Sequence, residues 1–168
     1  MLGNSIRQTE NIVLGDLIGR DQYVIKTQEV LKASKPIRTD SSFDLKIDED
    51  NSTLFKKLKD GKVNSFTKIR AVSSKLGAIK IIFELNKSEN GKRILSDIYE
   101  NLLTSVSKIV MPMDDGELLK HKSEDIFAQF PAIISRYKDI MEIDEAFLEG
   151  LLYIATSNCA LRWKVDES

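Results

Sequence analysis

The chain has 168 residues, 42% of them hydrophobic and 30% charged, which suits one domain with a core and excludes a disordered chain. No segment reads as a bilayer span, because even the apolar run Ile79 to Leu85 is broken by Lys80 and Glu84, and Met1 to Thr9 lack the apolar stretch of a signal peptide. The net charge of −1 conceals eleven Lys/Arg against three Asp/Glu in residues 56–93 and seven against fourteen in 94–168, so a basic middle and an acidic C-terminal half can meet oppositely charged partners or each other.

Residues 1–28 form a first region. Its stretch Asn11 to Ile25 sets apolar pairs between glycine turns: Val13-Leu14, Gly15-Asp16, Leu17-Ile18, Gly19-Arg20-Asp21, then Tyr23-Val24-Ile25. Glycine tolerates positive φ and aspartate bonds its own backbone, so the pattern predicts two or three very short strands. Alone they bury too little area to be stable. They are expected to pack on the rest of the chain or on another chain, which makes Val13, Leu14, Gly15, Asp16, Leu17, Ile18, Gly19, Arg20, Asp21 and Tyr23 the candidate assembly residues. Residues 29–50 read as a linker, with breakers at Lys35-Pro36 and Asp40-Ser41-Ser42 and a possible edge strand over Ser42 to Ile47.

From residue 51 to 168 the period is helical. Leu54, Phe55 and Leu58 begin a short helix that stops near Gly61. Ser65 is the expected N-cap of the next, whose single apolar face is Phe66, Ile69, Val72, Leu76, Ile79 and Phe83; Ala78 to Phe83 also admits a strand. Ser88 caps a third helix with the face Ile94/Leu95, Ile98/Tyr99, Leu102/Leu103, Val106 and Ile109/Val110, ended by Pro112. Met113 to Gly116 is a turn. Ile126 to Tyr137 form a fourth helix, kinked or delayed by Pro131, and Asp144 caps a fifth that runs through Phe147, Leu151 and Ile154 to Cys159. Short connections predict a mainly α protein, a compact bundle of four or five helices preceded by a short β-motif.

Catalytic groups are sparse. His121, the single histidine, lies between Lys120 and Lys122 and is expected at the surface. Cys159, the single cysteine, excludes an internal disulfide, implies a reducing cytoplasmic compartment, and is expected to be buried as a small hydrophobe. The carboxylates at Asp114-Asp115, Glu117, Glu124-Asp125, Glu142 and Asp144-Glu145 fall at helix starts and turns, where they favour the helix dipole. Neither a phosphate-binding glycine loop nor a dinucleotide fingerprint occurs, and no cofactor or metal is implied. Lys56, Lys57 and Lys59 open the basic segment and are candidate partner-binding residues; the two interleaved phenylalanines fit the buried apolar face and give no base-stacking platform. Asn158 needs a hydrogen-bond partner on an otherwise apolar helix, and Trp163 anchors either the core or a partner, so both join the candidates.

The stretches Ile12 to Ile25 and Leu151 to Trp163 together resemble the C-terminal domains of bacterial ABC-three-component, Lamassu-like conflict systems. In that family a Gly-Asp/Gly-Arg-Asp β-motif precedes a helical domain that ends in an apolar helix with an Asn-Cys pair and a following aromatic. The resemblance implies a non-catalytic adapter that couples an effector to an ABC/SMC-like ATPase in defence against phages or plasmids, with DNA contact only indirect. The family's effector usually precedes the β-motif on the same chain, whereas about ten residues precede Asn11 here, so any catalytic activity is expected elsewhere. The sequence reading is therefore a cytoplasmic, homo-oligomeric adapter without enzymatic activity. Its rival is a nucleic-acid-binding or regulatory protein that uses the basic surface of 56–93.

Overall fold

Three helix starts are set by side chains. Asn64, Ser88 and Asp144 each lie in extended backbone and accept a hydrogen bond from the N–H three residues on, those of Thr67, Gly91 and Phe147. A computed structural model describes Leu45, Ile47, Asp48 and residues 50–166 of the chain. These residues fold into α1 (Ser52–Asp60), α2 (Ser65–Leu85), α3 (Glu89–Val110), a 3-10 turn (Leu119–Lys122), α4 (Ser123–Phe127), α5 (Phe130–Tyr137) and α6 (Glu145–Ser157). The protein is mainly α, as expected. Asn64, one residue earlier than Ser65, caps α2, and Ala78 to Phe83 are helical within it. Pro131 acts as a late start: α5 begins beside it, after the short α4. The expected β-motif of residues 1–28 and most of the linker lie outside the described residues. Of the possible edge strand, Leu45 and Ile47 are described, and both rest on the core in irregular backbone.

The centre of the bundle is α6. Every residue from Phe147 to Ser157 is buried, so this helix is covered on every side by its neighbours. It packs most extensively on α2 and also touches α1, α3 and α5. The α2–α6 crossing is very close: a Cβ on Gly150 would overlap the Ser74 carbonyl and the Ala78 methyl. Small residues are what permit that approach, and the buried side of α2 carries Ala71 and Ala78 on either side of Ser74.

The segment after α6 returns to the other end of the chain. Trp163 is buried, stacks on Tyr153 with ring centroids 6.1 Å apart, and donates its indole N–H to Thr156 Oγ1 at 3.0 Å. Its carbonyl accepts from Leu119 N–H at 2.9 Å, and Val165 exchanges backbone bonds of 3.0 Å with Gly116 and Glu117. A Cβ on Gly61 would strike the Trp163 Cβ, so the glycine that ends α1 is also the seat of this segment. Among the described residues no helix is long and apolar enough to cross a membrane.

Candidate functional site

The apolar face expected to line the core of α2 points the other way. Phe66, Ile69, Leu76 and Phe83 are 75, 72, 51 and 68% exposed, while Val72 and Ile79 are half-buried at the edge of the core. The core takes Ala71, Lys75, Ala78, Ile82 and Leu85 instead. Both sets recur at helical spacing. The close crossing at Gly150 selects the alanine stripe for the inside, because large side chains there would hold α6 off. Four large apolar side chains are thereby left on one outer surface. Singly exposed apolar residues are ordinary; a contiguous row along one helix marks an interaction surface.

The inner side of α2 is built to stay fixed. Lys75 is 1% exposed, and its ammonium donates to the Asp48 carbonyl and to Asn51 Oδ1 at 3.1 Å. Burial pushes its pKa below the ordinary 10.5, an effect opposed by the carboxylates of Asp48 and Asp50. Five residues earlier, Arg70 reaches over to α6 and grips Glu149 with two parallel hydrogen bonds of 2.9 and 3.0 Å. This bidentate hydrogen bond raises the Arg70 pKa further. Tyr153 lies buried near the same carboxylate, and burial, then Glu149, push its phenol up to about 12.

On the far side of the bundle, Tyr137 of α5 donates to the Asp97 carboxylate of α3, and Asn101 Nδ2 donates to the Tyr137 oxygen at 2.6 Å. Arg136 completes the cluster by donating to Asn101 Oδ1 at 3.0 Å. Burial, followed by the Asp97 hydrogen bond, holds the Tyr137 phenol well above its usual range. Its hydroxyl is committed in both directions, so the cluster serves as a clamp between two helices.

The other sequence candidates separate. Lys56 and Lys59 are exposed and Lys57 half-buried on α1, a different helix from the apolar row. Trp163 is not displayed to a partner: it is 3% exposed and spent on Tyr153, Thr156 and Gly61. Asn158 finds the partner it needs within the chain, in the hydroxyl of Tyr99. Cys159 departs from its expected burial. The helix ends at Ser157, Cys159 turns into left-handed backbone at φ 61°, and its side chain is exposed. His121 is exposed, as its lysine neighbours suggest. Among the described residues no group of three or more His, Cys, Asp or Glu is placed to hold a metal ion. The candidate assembly residues Val13 to Tyr23 lie outside the described residues.

Sequence reasoning singled out the residues of the α2 face but assigned them to the core. The signal that separates the two readings is the second stripe, Ala71, Lys75 and Ala78, with Gly150 on the helix opposite. Comparison with known proteins finds no matching family model, no matching curated protein and no matching solved structure.

Proposed function

We propose that this protein is a non-catalytic assembly module that docks a partner on the outer face of α2. The observation that carries the reading is the row of exposed large apolar residues, Phe66, Ile69, Leu76 and Phe83, on a helix whose inner side is fixed by Lys75, Arg70 and Gly150. A helix with an exposed apolar face is the element that pairs with a second helix or enters an apolar groove of a partner. The identity of the larger assembly, an effector joined to an ABC/SMC-like ATPase in bacterial defence, rests on the resemblance of Ile12–Ile25 and Leu151–Trp163 alone. Within the second stretch, Asn158 and Trp163 are engaged inside the chain, so the surface offered to a partner is a different one.

The test is co-expression of the full chain with the proteins encoded beside it. A stoichiometric complex containing an ABC/SMC-like ATPase, lost on Leu76→Asp, is expected. A chain that stays monomeric with all of them refutes the adapter reading. Leu76 is half-exposed, so its replacement does not touch the core.

One observation favours the nucleic-acid reading as a second. Lys56, Lys59 and Lys62 are exposed around the end of α1, and Lys120 brings its ammonium to the Lys62 carbonyl at 2.9 Å. Among the described residues none of the four has an acidic partner. Binding of a DNA or RNA duplex that weakens steeply with salt, and is lost on charge reversal at Lys56 and Lys59, would establish it.

A further inference from the structure

The exposed row on α2 has a definite period. Ile69, Val72, Leu76, Ile79 and Phe83 are spaced three, four, three and four residues apart, which is the a/d repeat of a coiled-coil seam over two heptads. Ile69, Leu76 and Phe83 stand out as knobs, and Val72 and Ile79 form the half-buried inner line between them. The seam is about 21 Å long at 1.5 Å per residue, so it matches about four turns of a second helix. A strand, with its period of two, would meet every second knob out of register.

The rim of the seam is basic. Lys68 and Lys80 occupy the two flanking heptad positions, and among the described residues neither has an acidic partner. The remaining charges of α2 are already committed. Arg70 is held by Glu149, Lys75 is buried, and Glu84 is paired with Lys87 at 2.6 Å. A docking helix therefore meets uncompensated positive charge on its flanks.

Resting on the reading of α2 as a docking face, we infer that its occupant is an amphipathic helix of another protein, with a heptad apolar stripe flanked by Glu or Asp. Two other occupants fit less well. A second copy of α2 would bring no free carboxylate to these flanks, because the helix has a single acidic residue, Glu84, and that is paired with Lys87. The chain's own segment Ile12 to Ile25 carries Gly15 and Gly19 four residues apart, which disfavours the continuous helix that this seam calls for.

The experiment uses the full chain and two labelled four-turn helical peptides with identical leucine and isoleucine seams, one flanked by glutamate and one by lysine. Fluorescence anisotropy should show the acidic peptide binding about tenfold or more tightly than the basic one, with the difference shrinking as salt rises. Binding should be lost in Leu76→Asp/Phe83→Asp, whose far-UV circular dichroism stays that of the parent because both side chains are exposed. Equal affinity for the two peptides, or binding that survives the double substitution, overturns the inference. If instead the chain alone forms a dimer that Leu76→Asp dissolves, the face belongs to a second copy; the inference fails while the assembly reading stands. If the acidic peptide binds only after Leu17→Asp/Ile18→Asp, the chain's own segment covers the seam and the inference fails again. Failure of the adapter reading is separate: the peptide binds, yet no ABC/SMC-like ATPase joins the chain.

Discussion

Lys75 joins burial to a measurable pH dependence. In the folded chain its ammonium sits where water is scarce, so its pKa falls below the 10.5 of the unfolded chain, burial outweighing the nearby Asp48 and Asp50. Between the two pKa values the unfolded chain binds more protons than the folded one. Stability therefore increases as pH rises through that window, and the full cost of the buried charge is present below it. Urea midpoints of the parent and of Lys75→Met, compared from neutral pH up to 10.5, should show this rise in the parent and its absence in the variant. The Arg70–Glu149 pair gives a second residue-scale expectation. Arg70→Ala strands a nearly buried carboxylate, yet the guanidinium it removes is largely in water. The loss should thus be about 1–3 kcal/mol by denaturant titration. Glu149→Gln/Arg70→Ala together should recover part of it. None of this was legible beforehand. A lysine and a glutamate on apolar helices look like breaks in the pattern until the segment or helix that answers them is placed.

At the scale of elements, α3 and α6 were the easiest to read and α2 the hardest. The α3 face is large and single, and the structure buries Ile94, Leu95, Ile98, Tyr99, Leu102 and Val106 as expected. Helix α2 carries two apolar stripes, one of large residues and one of alanines with Ile82 and Leu85, and hydrophobic period alone cannot choose between them. The choice is made by volume at the α6 crossing. Gly150→Ala should therefore destabilise the protein by about 1–3 kcal/mol, since the added methyl must push back the Ser74 carbonyl or Ala78. Gly77, on α2, is the control. Among the described residues nothing lies within 4 Å of where its Cβ would be, so Gly77→Ala should stabilise by about 0.5–1 kcal/mol through helix propensity alone. Opposite shifts in thermal midpoint for the two glycine variants would confirm the crossing. The helix starts at Ser88 and Asp144 were legible because a cap is local, and the start of α2 was displaced by one residue because Asn64 and Ser65 both qualify.

For the whole molecule, the division into a basic middle and an acidic C-terminal half survives folding only in part. The Arg70–Glu149 link joins the two halves, while most charges of α1 and α2 remain outward. Exposed pairs contribute about 0–1 kcal/mol each, so the division should act on association and not on folding. Charge reversal at Lys56, Lys57 and Lys59 together is expected to leave the helical signal unchanged. It should weaken association with an acidic partner by an amount that diminishes with added salt. The same substitutions abolishing nucleic-acid binding, with protein association intact, would transfer the function to the second reading.

The position of Trp163 bears on time as well as on shape. Its ring rests on Tyr153, a short way back along the chain, but its Cβ and carbonyl rest against Gly61 at the end of the first helix. Closing that contact requires nearly the whole described chain to be in place, whereas the α3–α5 clamp joins segments much closer in sequence. A contact made last on the way in is broken first on the way out. Gly61→Ala, whose added methyl strikes the Trp163 Cβ and loosens this seat, should accordingly speed unfolding several-fold and leave the refolding rate almost unchanged, the two arms being read separately by stopped-flow fluorescence of Trp163. Equal changes in both arms would place the latch among the early contacts. The seat at Gly61 is thus a latch whose strength sets how long the folded bundle persists, more than how quickly it forms.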